Sequence, residues 1–266
     1  MLLYPRCLAR SVASFAAGLV CTLAQSAELG DFYNLGPQPT ETVVRAGLVA
    51  IGGARYQGSS KGRVLVVPGI TVQTTNGFFA DPINGLGFAL NAMDGLQYGL
   101  RATVETGRST EDALPGFDKI KARLNPGAFA NYKLSDELTL KSALRLGVGD
   151  GGKGGVINLG ATYRVYQAGP VIVTVNGSVK YANSSYQQSY FGVSAAQSAA
   201  SGLNAFQPAA GFNTAQLGVA AGFPLSERVY AFSGVSVQRL LGDAANSPIT
   251  QKKQQLTGFL GAVYSF

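Results

Sequence analysis

Nine cationic side chains carry most of the chemical potential of this sequence: Arg45, Arg55, Arg63, Arg101, Arg123, Lys141, Arg145, Arg164 and Lys180. Each falls on the polar phase of a stretch in which apolar and polar residues alternate, and Glu105 is the one clear acid in that phase. Unpaired charges in a dry core are prohibitively costly. The array therefore implies a wet interior that, if it conducts, prefers anions. The competing placement sets some of these cations near the rims, paired with loop acids or with lipopolysaccharide phosphates.

Catalysis finds little to work with. The chain has no His, so a Ser-His hydrolase is impossible. The carboxylate pairs Glu111-Asp112 and Asp136-Glu137 are sequence neighbours in turn-like stretches, where solvated punctuation is the better reading. Gly151-Gly152-Lys153-Gly154-Gly155 has the composition of a phosphate loop without its spacing or its following helix, which leaves a hairpin turn. No metal-ligand spacing is present, and neither an enzyme nor a cofactor is expected. The pI near 9.4 does not point to nucleic acid either, because the cations are spread along the strands and not clustered.

The elements that must position these residues are strands. Leu96 to Glu105 alternates without a fault, with Leu96, Tyr98, Leu100, Ala102 and Val104 against Gln97, Gly99, Arg101, Thr103 and Glu105. The period of two is that of a strand with one wet and one greasy face. The same pattern runs through 138–148, 157–165, 171–181 and 255–266, and more weakly through 43–55, 63–74, 121–132, 213–223 and 228–241. Short turn-forming connections alternate strictly with longer ones if 77–92 is a hairpin that turns at Asp81 to Gly85. That count gives a closed up-and-down antiparallel transmembrane β-barrel of about 12 strands, with short turns in the periplasm and long loops outside. A soluble β-sandwich also alternates, but here the inward phase is largely charged or amide. Closure has a physical cause, since an open sheet edge in lipid leaves backbone groups unpaired at several kcal/mol each. Pro68 and Pro126 cannot donate to a ladder, and each is expected to mark a bulge or bend.

Residues 1–26 read as an export leader, with Arg6 and Arg10 before a mostly apolar Ser11 to Leu23 and small residues for cleavage after Ser26. Val20 before Cys21 argues against lipidation. Both cysteines, Cys7 and Cys21, fall in the leader, so the exported chain has no thiol. Residues 27–41 then form a periplasmic segment and 42–266 the barrel. A closing aromatic pair, Tyr264 and Phe266, ends a well-alternated strand in the manner that barrel-assembly machinery recognises in outer-membrane proteins.

Three stretches resemble the MltA-interacting protein/OmpV family. One is Tyr56-Gln57-Gly58-Ser59, with Phe78-Phe79-Ala80 and Gly85-Leu86-Gly87 after it. A second is Gln188-Ser189-Tyr190-Phe191-Gly192-Val193. The third runs from Arg239 to Ile249 into the last strand. Gln57 stands where the family typically has an acid, and the acidic cluster around 108–118 is thin. The resemblance implies an outer-membrane protein in contact with lipid and lipopolysaccharide. It also implies a scaffold role between a murein transglycosylase and a murein synthase, with a porin-like channel as the alternative. Loop 183–212, long enough for a helix around Ala195 to Ser201, would serve as a lid or a partner surface.

Overall fold

The computed structural model describes residues 38–105, 107–108 and 114–266. The expected leader and most of the segment after it lie outside the described residues. Twelve antiparallel strands close into one barrel. In chain order they are β1 (Val43–Ala54), β2 (Gly62–Gln73), β3 (Phe78–Asp81), β4 (Gly85–Met93), β5 (Leu96–Glu105) and β6 (Arg123–Lys133). Then follow β7 (Leu138–Val148), β8 (Gly154–Ala168), β9 (Val171–Ala182), β10 (Gly211–Pro224), β11 (Val229–Leu240) and β12 (Gln254–Ser265). Three short helices sit in the long connections: α1 (Ser184–Phe191), α2 (Ala195–Ser201) and α3 (Gly242–Asn246). Each strand pairs with its sequence neighbours, and β1 meets β12 from Arg45↔Ser265 to Gly52↔Gly258.

Alternation becomes two faces of one wall. Outward positions are apolar and open: Leu100 is 71% exposed, Leu217 63% and Leu256 63%. A continuous apolar face of this kind belongs in lipid. Aromatic residues border it. Tyr98, Tyr132, Tyr163, Tyr166 and Tyr264 are exposed near the short-turn end, and Tyr181 and Phe212 meet edge to face near the long-loop end. The β2–β3, β4–β5, β6–β7, β8–β9 and β10–β11 turns gather at one end and the long loops at the other, together with the short β3–β4 turn, which orients the barrel with the first end periplasmic.

β3 is only four residues long and touches β2 at Val72↔Ala80 and Gln73↔Phe79 alone. The β3–β4 turn is held by the Asp81 side chain, which accepts hydrogen bonds from Ile83 N (2.7 Å), Asn84 N (2.6 Å) and Asn84 Nδ2 (3.1 Å). Its tip leans over the inner face of β2. A Cβ on Gly69 would come within 2.7 Å of Pro82 Cγ, so glycine there makes room for the tip.

Of the bulge or bend expected at each proline, the bulge is absent, since the register runs unshifted through both. The reason is where each ring nitrogen points. Arg55 N donates to Lys61 O, so β1–β2 ladder bonds fall on odd residues and Pro68 turns toward β3, whose pairing stops at Val72. Lys133 N likewise donates to Gly95 O, and Pro126 faces β7, whose pairing with β6 stops at Gly127. The register shifts lie elsewhere, at Asn91/Met93, Leu146/Val148, Arg164/Tyr166 and Phe212/Thr214.

The two faces make a direct prediction. Leu217→Arg, at the middle of the lipid face of β10, should destabilise the barrel by about 2–4 kcal/mol. Gln216→Arg, on the opposite face, should cost far less. Urea titration of the two variants refolded into lipid vesicles measures the difference.

Candidate functional site

The long loops close the outer mouth. α1 packs on the inward residues at the tops of β7, β8, β9 and β11, in a core of Val148, Val156, Ala182, Tyr186, Phe191, Leu240 and Ala244, each at most 1% exposed. Two local sequence features shape this loop. Asn183 caps α1 by accepting from Tyr186 N, and Ser194 caps α2 in a reciprocal box with Gln197. A second cluster joins Phe117, Val193 and Ile249 from three different loops.

Hydrogen bonds stitch these loops together. Ser247 Oγ donates to Phe191 O (2.5 Å), and Asp243 accepts from Ala209 N (2.7 Å). Gly58 O accepts from Gln251 N (2.8 Å) and Lys252 N (2.9 Å), while Gln255 Nε2 reaches Tyr56 O and Ser59 O. Tyr56 to Ser59 thus meets the other two stretches that carry the family resemblance at one end of the barrel. In the motif of the long loop, Ser189 Oγ accepts from Asp150 N (3.0 Å), Tyr190 Oη donates to Glu105 (2.8 Å), Phe191 is fully buried, and Gly192 ends the helix.

Glu105 is the centre of the charged part of the lid. Its other oxygen lies 3.3 Å from Arg145 Nη1. Burial and then the Glu105 charge hold the Tyr190 phenol well above its usual range, so it stays a donor. Arg108, which lies outside every alternating stretch, is 6% exposed and stacks 5.5 Å over Phe117. Burial lowers its affinity for a proton, and Tyr56 and Tyr190 partly offset that.

The sequence-derived cations are not one cluster. Arg55, Arg63 and Arg123 lie half-buried at the outer ends of their strands, and Arg123 approaches the turn at Gly152. Arg101 donates to Asn84 Oδ1 (3.2 Å) and stacks on Phe129 at 5.6 Å. Lys180 is 2% exposed with its ammonium 5.8 Å over Tyr186, within cation–π range. Lys141 is half-buried on β7, and Arg164 bonds the periplasmic turn at Asp136 O (2.7 Å). Arg45 is half-buried low on β1. Asp81 joins Glu105 as an inward acid that alternation assigned to a turn.

The lumen has two zones. Under the lid it is amide-rich: Asn125, Asn158, Asn213 and Gln238 are buried, and each has an amide atom that finds no protein partner. Toward the periplasm it widens into a cavity of about 710 Å³ walled by Val49, Val67, Ile172, Phe232, Phe259 and Val263, with Asp81, Pro82 and Ile83 above. The closing aromatics lie outside it. Tyr264 and Phe266 pack edge to face at 5.1 Å on the lipid side, Tyr264 accepting from Arg228 (3.0 Å).

A closed twelve-stranded barrel with a greasy outer face and a polar inner one defines a bacterial outer-membrane protein. A bacterial polysaccharide outer membrane secretin is similar over 84% of this chain and 98% of its own, at TM-score 0.51 and 9% identity. KdgM porin is similar over 85% of this chain and 99% of its own (TM-score 0.38, 9% identity). NanC porin is similar over 85% and 100% (TM-score 0.40, 9% identity). No curated protein matches the chain. The sequence profile described as MltA-interacting protein MipA matches residues 46–266, and the chain belongs to that family.

The lid can be tested at its most buried ring. Phe191→Ala should lower the cost of opening the lid by about 3–5 kcal/mol, the usual loss for a core Phe. That is roughly a hundredfold or more in open population. Chymotrypsin cleavage within 183–210, followed on reconstituted protein, should accelerate accordingly.

Proposed function

We propose that this protein is an exported, non-catalytic outer-membrane scaffold that works from its periplasmic end, holding a lytic murein transglycosylase beside a murein synthase. The partner class comes from the family, named for its interaction with such an enzyme. The observation that carries the reading is the asymmetry of the two ends. The outer mouth is sealed by a core at most 1% exposed, while the periplasmic end is open. Periplasmic turns of a few residues offer little area compared with a standard interface. The segment 27–41 is therefore the proposed contact, and its described part begins at the right place: Gln38 bonds Thr75 O in a periplasmic turn and accepts from Asn91 Nδ2 (3.3 Å). The leader at 1–26 and the closing aromatics would serve export and barrel assembly. The non-catalytic reading rests on the lack of any His and on acids already engaged, Glu105 by Arg145 and Tyr190, Asp81 by its own turn.

Deleting 27–41 should abolish co-purification of a murein transglycosylase while leaving heat-modifiable barrel migration intact. Retained co-purification would sink this reading. A second reading, an anion-preferring channel, is favoured by the inward cations and needs the lid to move. In planar bilayers the refolded protein should stay closed. A steady anion-selective current, reduced in Arg101→Gln and Arg145→Gln, would establish the channel instead.

A further inference from the structure

We infer that the periplasmic half of the lumen is a binding site for a single-chain amphiphile, an apolar chain bearing an anionic head such as a fatty acid. The cavity of about 710 Å³ is of ordinary size for a small-molecule site, which spans roughly 300–1,000 Å³. Its wall is the decisive feature. Val49, Val67, Ile172, Phe232, Phe259 and Val263 come from the inner faces of five strands, whereas the lumen beneath the lid is lined by buried amides. Thr71, Thr174 and Ser265 add a few hydroxyls to the wall, but the amides that a glycan would use lie in the other zone, beneath the lid. An apolar chain needs only to be taken out of water.

The head has a place as well. Arg45 stands on the cavity wall near the periplasmic mouth, half-buried and without an ion pair among the described residues. The other cation near this mouth, Arg228, is drawn to the lipid side by the Tyr264 hydroxyl, so Arg45 is the cation that the cavity wall presents. The acids nearby compete weakly. Asp81, at the far end, spends both oxygens on Ile83 and Asn84, and Glu227 lies on an exposed turn. The chain therefore points inward toward Pro82 and Ile83, with the head at Arg45. Entry is from the periplasmic end, where the cavity is open, because the outer mouth is sealed.

The test uses the mature chain in lipid nanodiscs with 11-(dansylamino)undecanoate as the fluorescent probe, empty discs as the blank, and dodecanoate or dodecanol as competitors. Saturable binding of one probe per chain, displaced by dodecanoate, is expected. Ala220→Trp, which fills the cavity from β10, should abolish the saturable component. Ile172→Trp does the same from β9 and carries the test should the first variant fail to show heat-modifiable migration. Arg45→Gln should weaken dodecanoate about tenfold, the usual worth of one charge-assisted contact, and leave dodecanol unchanged. Signal no higher than that of empty discs, or equal binding by a folded cavity-filled variant, overturns the site. Unchanged dodecanoate affinity in Arg45→Gln overturns the anionic head.

Discussion

In hydrocarbon a backbone N–H or C=O has no water to turn to, and each one left unpaired costs several kcal/mol. That constraint makes β1 seek β12, and the ladder from Arg45↔Ser265 to Gly52↔Gly258 is its outcome. It also governs where rule-breaking residues are tolerated. Pro68 and Pro126 sit with their nitrogens facing sides where the neighbouring ladder has already ended. Once the wall is closed, strict alternation follows, and the inside and outside of the barrel become separate chemical problems.

Alternation made most of the wall legible in the sequence. Leu96 to Glu105 and Leu138 to Leu146 show one face to lipid and one to the lumen, and Asp81 to Gly85 does turn the short hairpin. The family motifs at Ser189 to Gly192 and Arg239 to Ile249 marked the stretches that seal the mouth, though nothing in their spacing showed that they meet Tyr56 to Ser59. The lid depends on contacts between residues far apart in the chain, and those have no local signature. Arg108 is the plainest case, since it lies in a connection with no alternating phase to assign it.

The lumen was harder to read because a parity argument weighs every inward position alike. Counting cations made it look uniformly basic, yet Phe79, Phe129, Phe232 and Phe259 also face inward and pack in the barrel. Local breaks matter too. At the shift between Leu146 and Val148, Gly147 takes φ +77°, and Val148 swings from the lipid phase to the core beneath α1. A single left-handed glycine thus converts an outward valine into part of the lid's foundation. The division of the interior into an amide zone and an apolar zone emerges only when such shifts are in place.

The seam joins the first strand of the barrel to the last, and this sets the order of events during folding. The second edge of β1 finds its partner only in β12, the last strand of the barrel. Hairpins such as β11–β12 form from nearby residues at little loop-closure cost, whereas the seam must bring together the two most distant strands. Until it does, the edge of β1 is a template for pairing with another molecule. The seam is thus the pairing with the greatest loop-closure cost in the barrel, and closing it removes the exposed edge.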